Sequence, residues 1–487
     1  MQSKVPWCPS RSTCTSLLAM ATVTVLHEAM SLSLSAQDCS AMVPAGIKQL
    51  PDDGPLLLSS PRWKCAQSQK GTLLALLPAA SSSPLGMHVR PWPSAEANAM
   101  GNGADRWALR SVLGFEVDAL GVVWALDQGR VHDAVPAEGD IKLVAFDSAY
   151  AGETWQDGIH FKRAFSTTEA PLETAFLNDI VVDRRREFAY ISDSGVKVPS
   201  ATGVADGQGA ILVVDLATSN VARLLATAAS TRASDTLYLE IQGRRVLQGS
   251  RMVTGADGIA LGNDGETLVF CALTSHEYFW VATADLRAAL AGSLASIRPE
   301  PLPARGFASD GLACTSDGML LLTSLERSGL FQQVLVTGNT EAPSLLVADE
   351  TRLVWPDTIG FDHKGGVLLV SNKLHLFLDG ALNTSASAEP VDGDFNFRVA
   401  RIDGLDMYSY VDGLTPLAPT PTATPLSLAG DKWSTSRILL LAVLPALAGV
   451  VLLTALTILL LRRRSRLAAT PPGSPVITVY AVMENNE

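Results

Sequence analysis

From Ser111 to Ile402 the chain alternates short apolar runs with turns rich in Gly, Asp and Asn. Gly121–Asp127, Lys142–Asp147, Ala189–Asp193 and Ala210–Asp215 are runs of this kind. Thr267–Cys271, Met319–Thr323 and Gly366–Ser371 repeat the pattern further on. Runs this short, bounded by turn residues, predict β-strands. Long helical periodicity is scarce, and Ala284–Ser296 is the best helix candidate.

Stacking the runs exposes a repeat. Leu177-Asn178-Asp179-Ile180 leads into a turn and a strand, and so do Ala256-Asp257-Gly258-Ile259, Ser309-Asp310-Gly311-Leu312 and Pro356-Asp357-Thr358-Ile359. Asn178, Asp257, Asp310 and Asp357 hold the same place, at spacings of 79, 53 and 47 residues. A fifth unit at Phe115-Glu116-Val117-Asp118 has the strand but carries Leu113 at that place. Repeats of about 40–50 residues made of short strands indicate a β-propeller. If the segment before residue 100 pairs with the strand near Phe395–Ile402, about six blades fit. A sandwich or barrel would need four aligned units by coincidence. The predicted fold class is all-β: a six-bladed β-propeller ectodomain plus one C-terminal transmembrane α-helix.

The chain ends add a location. Lys4 and Arg11 precede the apolar run Leu17–Leu26, and small residues follow to Ala36. That order predicts a signal peptide over 1–36. Ile438–Leu461 carries no charge and is long enough to cross a bilayer, and Arg462, Arg463, Arg464 and Arg466 follow it. By the positive-inside rule, 462–487 is a cytoplasmic tail and the large N-terminal part is extracellular or lumenal. Between the propeller at 37–412 and the span at 438–461, residues 413–437 form a Pro/Thr-rich stalk, whose composition favours extended backbone. The expected location is a secretory-pathway or cell-surface membrane, in single-pass orientation.

Composition narrows the classes. Hydrophobic residues make up 47% and the net charge is −12, so a sizeable core is expected and a nucleic-acid partner is not. If Cys8 and Cys14 leave with the leader, Cys39, Cys65, Cys271 and Cys314 can form two disulfides, locally Cys39–Cys65 and Cys271–Cys314. Asn383-Thr384-Ser385 is a glycosylation sequon, and Tyr480-Ala-Val-Met483 has the form of a sorting signal. No zinc-protease, nucleophile-elbow, P-loop or dinucleotide motif is present.

In a propeller the innermost strands line a central channel. Asn178, Asp257, Asp310 and Asp357 then form a candidate ligand-binding ring, with oxygen donors suited to a hard cation such as Ca2+. Trp124, Tyr190, Phe270, Trp280, Trp355 and Phe361 are aromatic candidates for a channel wall. Asp-Gly pairs also serve as plain turns.

Leu120–Gly129, Leu177–Asp183 with Ala189–Ser194, Gly255–Leu261, Trp355–Thr358 with Val370–Asn372, and Asn396–Arg398 occur in one order. In this the chain resembles the major royal jelly protein / yellow family from about Ser111 to Ile402. The resemblance implies a six-bladed, usually secreted propeller, in a family of pigmentation-related, nutritive and small-amine-binding proteins. The stalk, span and tail depart from it. A more distant resemblance to gluconolactonase/regucalcin propellers implies Asn178, Asp257 and Asp310 as a metal set, with Asp replacing the usual Asn at 257. There the first-blade glutamate lacks a clear match, since Glu116 is near but out of register. Three functions are expected to compete: a tethered binder of a small molecule or cation, a metal-dependent lactonase, and a surface interaction or structural protein.

Overall fold

The computed structural model describes residues 21–29, 42–64, 71–78, 87–101, 103–202, 206–335, 341–382 and 394–411. Among them are six four-stranded antiparallel sheets and one two-stranded hairpin. Blade 1 runs Gly46–Gln49, Leu56–Ser59, Leu73–Pro78, Met87–Pro91, and blade 2 runs Val112–Val117, Val122–Asp127, Lys142–Asp147, Ile159–Ala164. Blade 3 is Leu177–Asp183, Phe188–Asp193, Ala210–Asp215 and Val221–Leu224. Blade 4 is Ala256–Leu261, Thr267–Ala272, Phe279–Ala282 and Glu300–Pro301. Blade 5 is Leu312–Cys314, Met319–Ser324, Gly329–Val334 and Ser344–Ala348. Blade 6 takes Pro356–Phe361, Val367–Ser371 and Phe397–Asp403 from the C-terminal side, and its outer strand is Thr22–Ala29. The innermost strands touch in ring order, and blade 1 meets blade 6. The fold is the expected six-bladed propeller.

Each blade is covered on both faces, which explains why its strands read as continuous apolar runs rather than alternating ones. In blade 2 Val122 through Leu126 are all buried. Trp124 and Leu126 point into a cluster with Ile180 and Val182 of blade 3. Val123 and Ala125 point the other way, toward Leu57 and Leu73 of blade 1. Full burial of one such side chain is worth about 1.5–3 kcal/mol. The predicted helix at Ala284–Ser296 is shorter, Thr283–Leu290, and continues the third strand of blade 4.

Thr22–Ala29 lies inside the segment read as a leader. Its Thr-Val-Thr-Val start has the β-branched alternation of a strand. It pairs with Phe397–Asp403 from Thr22↔Asp403 to Ala29↔Phe397 and closes the ring. Cys271 and Cys314 are free, which corrects the expected disulfide. They sit on neighbouring blades, and each buried sulfur faces a backbone carbonyl instead, of Ser309 and Thr315 respectively, at 3.7 Å. Cys39, Cys65, the sequon at Asn383, the stalk, the 438–461 span and Tyr480 lie outside the described residues. Among the described residues no helix is long and apolar enough to cross a membrane.

After blade 6 the chain crosses one end of the channel. Met407 N–H bonds the Gly365 carbonyl at 3.1 Å, and Ser316 N–H bonds that of Tyr408 at 2.8 Å. Tyr410 is buried there, its hydroxyl accepting from Val182 N–H at 3.0 Å and donating to Glu116 Oε2 at 3.3 Å. That end of the channel is closed.

Candidate functional site

The repeat position marks a break in each inner strand. Register shifts between Val112 and Phe115, Leu177 and Ile180, Ala256 and Ile259, and Pro356 and Ile359. A bulge of this kind re-aims a side chain. Leu113, Asn178, Asp257 and Asp357 occupy these bulges, and Asp310 precedes the inner strand of blade 5. All five line one cavity of about 320 Å3 at the open end of the channel. The four side chains singled out in the sequence are therefore brought together.

Asp257-Gly258 and Asp310-Gly311 are not plain turns. A Cβ on Gly258 would stand 2.2 Å from the Asp310 carbonyl oxygen, and one on Gly311 would stand 2.4 Å from that of Asp357. The glycines let adjacent blades close at the axis. Asp264 and Asp317, by contrast, sit in hairpin turns.

Neutral donors hold the carboxylates. Asn178 Nδ2 donates to Asp257 Oδ2 at 2.6 Å, and Ser194 Oγ donates to the same oxygen at 3.2 Å. Trp355 Nε1 donates to Asp310 Oδ2 at 2.6 Å, and Asn372 Nδ2 to Asp357 Oδ2 at 2.6 Å. The Asp257 and Asp310 carboxyls also interact with one another. Among the described residues no Lys, Arg or His forms an ion pair with any of the three. Burial, then the charge of Asp310, pushes Asp257 and Asp357 well above the usual carboxylate range. Burial lifts Asp310 to about 7, against the hydrogen bonds it accepts. Asp179, half-buried, lines the gap below, and desolvation lifts it to about 7 although Lys48 pulls the other way. Each such shift records a charged form short of solvation.

The rim comes from the loops that join second to third strands. Blade 1 supplies Trp63 and Lys64, blade 2 Arg130, blade 3 Lys197, and blade 6 the short helix Leu374–Leu378 with Phe377. Phe176, just before the inner strand of blade 3, stacks with Trp63 at 6.0 Å, and Trp63 meets Phe377 at 6.5 Å. These three aromatics were not singled out in the sequence. The adjacency of Phe176 to Asn178 was the one signal that pointed to them. Of the six aromatics expected, Trp355 alone bonds a site residue. Trp124, Tyr190 and Phe270 are fully buried between blades, Trp280 packs on the core, and Phe361 borders a cavity at the closed end.

The major royal jelly protein family model matches residues 110–395, more than half of the chain. The chain belongs to the major royal jelly protein family. No curated protein matches it at a significant level. Among solved structures, this royal jelly family propeller is similar to a luciferin-regenerating enzyme at 11% identity, TM-score 0.46, covering 80% of this chain and 97% of that one. It is also similar to a calcium-binding regucalcin from Agrobacterium tumefaciens strain C58 at 13% identity, TM-score 0.43, covering 80% and 97%. A gluconolactonase from Xanthomonas campestris is similar at 14% identity, TM-score 0.43, covering 81% and 93%.

The lactonase expectation needs a metal set completed by a first-blade glutamate. Glu116 lies at the closed end, 3.2 Å from Lys48 Nζ, and Leu113 takes its blade's place in the cavity. Asn178 donates its NH2 group to Asp257. Among the described residues no group of three or more His, Cys, Asp or Glu is arranged to hold a metal ion.

Proposed function

We propose that this royal jelly family chain is a membrane-tethered propeller that binds a small, positively charged aromatic molecule at its open channel mouth. One observation carries the reading: Asp257, Asp310 and Asp357 form a desolvated acidic floor without a basic partner, beneath the rings of Trp63, Phe176 and Phe377. A ligand amine supplies the missing positive charge, and its ring lies against the aromatic wall. The cavity, about 320 Å3, stands near the small end of ligand sites. Ile438–Leu461 with its following arginines supports tethering, with the propeller outside.

Isothermal titration of the full-length chain in detergent with tryptamine tests the binding. Saturable binding is expected, with a thermal shift equivalent to about 2.7 kcal/mol at a hundredfold excess over Kd. Asp257→Asn with Asp310→Asn should abolish both. Absence of binding to tryptamine overturns the reading. Binding to calcium chloride alone, lost in the same variant, would replace the amine with a metal ion. Alkaline carbonate extraction tests the tether: the chain should stay with the membrane pellet, and release into the supernatant refutes anchoring.

A further inference from the structure

The cavity is divided by charge. Its acids on the channel axis, Asp257, Asp310 and Asp357, come from blades 4, 5 and 6, whereas its bases, Lys64, Arg130 and Lys197, come from blades 1, 2 and 3. Asp133, exposed beside Arg130, is the exception on the basic side.

Arg130 is the unusual member. It is 5% exposed, and among the described residues no carboxylate forms an ion pair with it. Its guanidinium is held by backbone carbonyls of Ala175, at 2.9 Å, and Val196, and it lies over the Phe176 ring at 5.1 Å. Its Nε–H has no partner. Burial lowers its pKa to about 10, against the attraction of Asp193, Asp133 and Asp206. Trp63, stacked on the same Phe176, has a buried indole N–H that is also without a partner. Two unspent donors and a desolvated cation thus belong to residues that line a cavity whose other half is acidic. A buried donor left unpaired costs about 1–3 kcal/mol, which an acceptor on a ligand removes.

From this geometry we infer that the ligand is zwitterionic: an aromatic amine that also carries an acid group, of the α-amino acid kind. Its ammonium meets the Asp257/Asp310/Asp357 floor, and its carboxylate meets the Arg130 and Trp63 donors. The inference rests on the amine-binding reading above and adds the acid group. A planar guanidinium is well suited to a carboxylate.

Three indole probes separate the parts in titrations of the full-length chain: tryptophan, tryptamine without the carboxylate, and indole-3-propionate without the amine. Tryptophan is expected to bind at least about tenfold tighter than tryptamine, a difference worth about 1.4 kcal/mol. Arg130→Met should erase that preference, weakening tryptophan binding far more than tryptamine binding. Tryptamine binding as tightly as tryptophan to the unaltered chain overturns the zwitterion inference and leaves the amine reading standing. Failure of tryptamine and tryptophan alike overturns both. Should Arg130→Met not fold, Arg130→Lys keeps the charge but loses the Nε–H, and is expected to narrow the preference. An unchanged preference in that variant overturns the inference.

Discussion

At the closed end of the channel Glu116 lies 3.2 Å from Lys48 Nζ and 3.3 Å from the Tyr410 hydroxyl, whereas at the open end Asp257, Asp310 and Asp357 meet neutral donors. The closed end also pairs Asp118 with Arg184 at 3.1 Å, and Asp362 with Arg401. The two ends share one set of inner strands, yet one balances its buried charge and the other does not. Balanced charge is a device for holding elements together. Unbalanced buried charge raises the free energy of the native state until something arrives to neutralise it. That difference marks the open end as the candidate site without reference to any relative.

The comparison can be broken most sharply by unbalancing the closed end. Lys48→Met leaves Glu116 buried without a cation and should lower stability by about 3–5 kcal/mol, read from urea unfolding. A loss under about 1 kcal/mol would show that Glu116 is solvated and the contrast false. At the open end the opposite sign is expected. Asp310→Asn removes an ionised group short of solvation and should raise stability by about 1–3 kcal/mol at pH 8. The pH dependence sharpens this. Burial lifts Asp310 to about 7 in the folded chain, far above the ordinary aspartate value near 4. The folded state therefore holds a proton that the unfolded chain releases. The stabilisation is complete below about pH 4 and is lost as pH rises through about 7. Urea midpoints of the ligand-free chain should fall across that window, and the fall should be shallower in Asp310→Asn. A midpoint that rises across it refutes the unbalanced floor. The smallest change is Tyr410→Phe, which strips a partner from Glu116 and the Val182 amide. It should lower stability by about 1–2 kcal/mol and leave tryptamine affinity untouched. A loss of affinity would mean that the two ends are coupled.

Much of this was legible in the chain because its signals are local. The apolar runs and their turns gave the strands, and the repeated place of Asn178, Asp257, Asp310 and Asp357 predicted their convergence. The rim was not legible. Trp63, Arg130 and Phe377 lie on loops of three different blades, and nothing local shows that they border one cavity. Glu116 misled for a related reason. It lies next to the expected place in sequence, but the bulge at Leu113-Gly114 sends it toward the other end. The Cys271–Cys314 pairing failed because nearness in sequence did not orient the two sulfurs toward each other.

The outer strand of blade 6 carries a consequence for biosynthesis. Thr22 pairs with Asp403, so the ring stays open on the ribosome until almost the whole propeller has been translated. The same strand makes the position of N-terminal processing decisive. A peptidase cut near Ala36 removes Thr22–Ala29 and exposes the amides and carbonyls of Phe397–Asp403 as a bare edge. A cut before Thr22 preserves the closure. Sequencing the mature N-terminus therefore reports whether the propeller leaves the ribosome as a sealed ring or as one that still needs a strand from elsewhere.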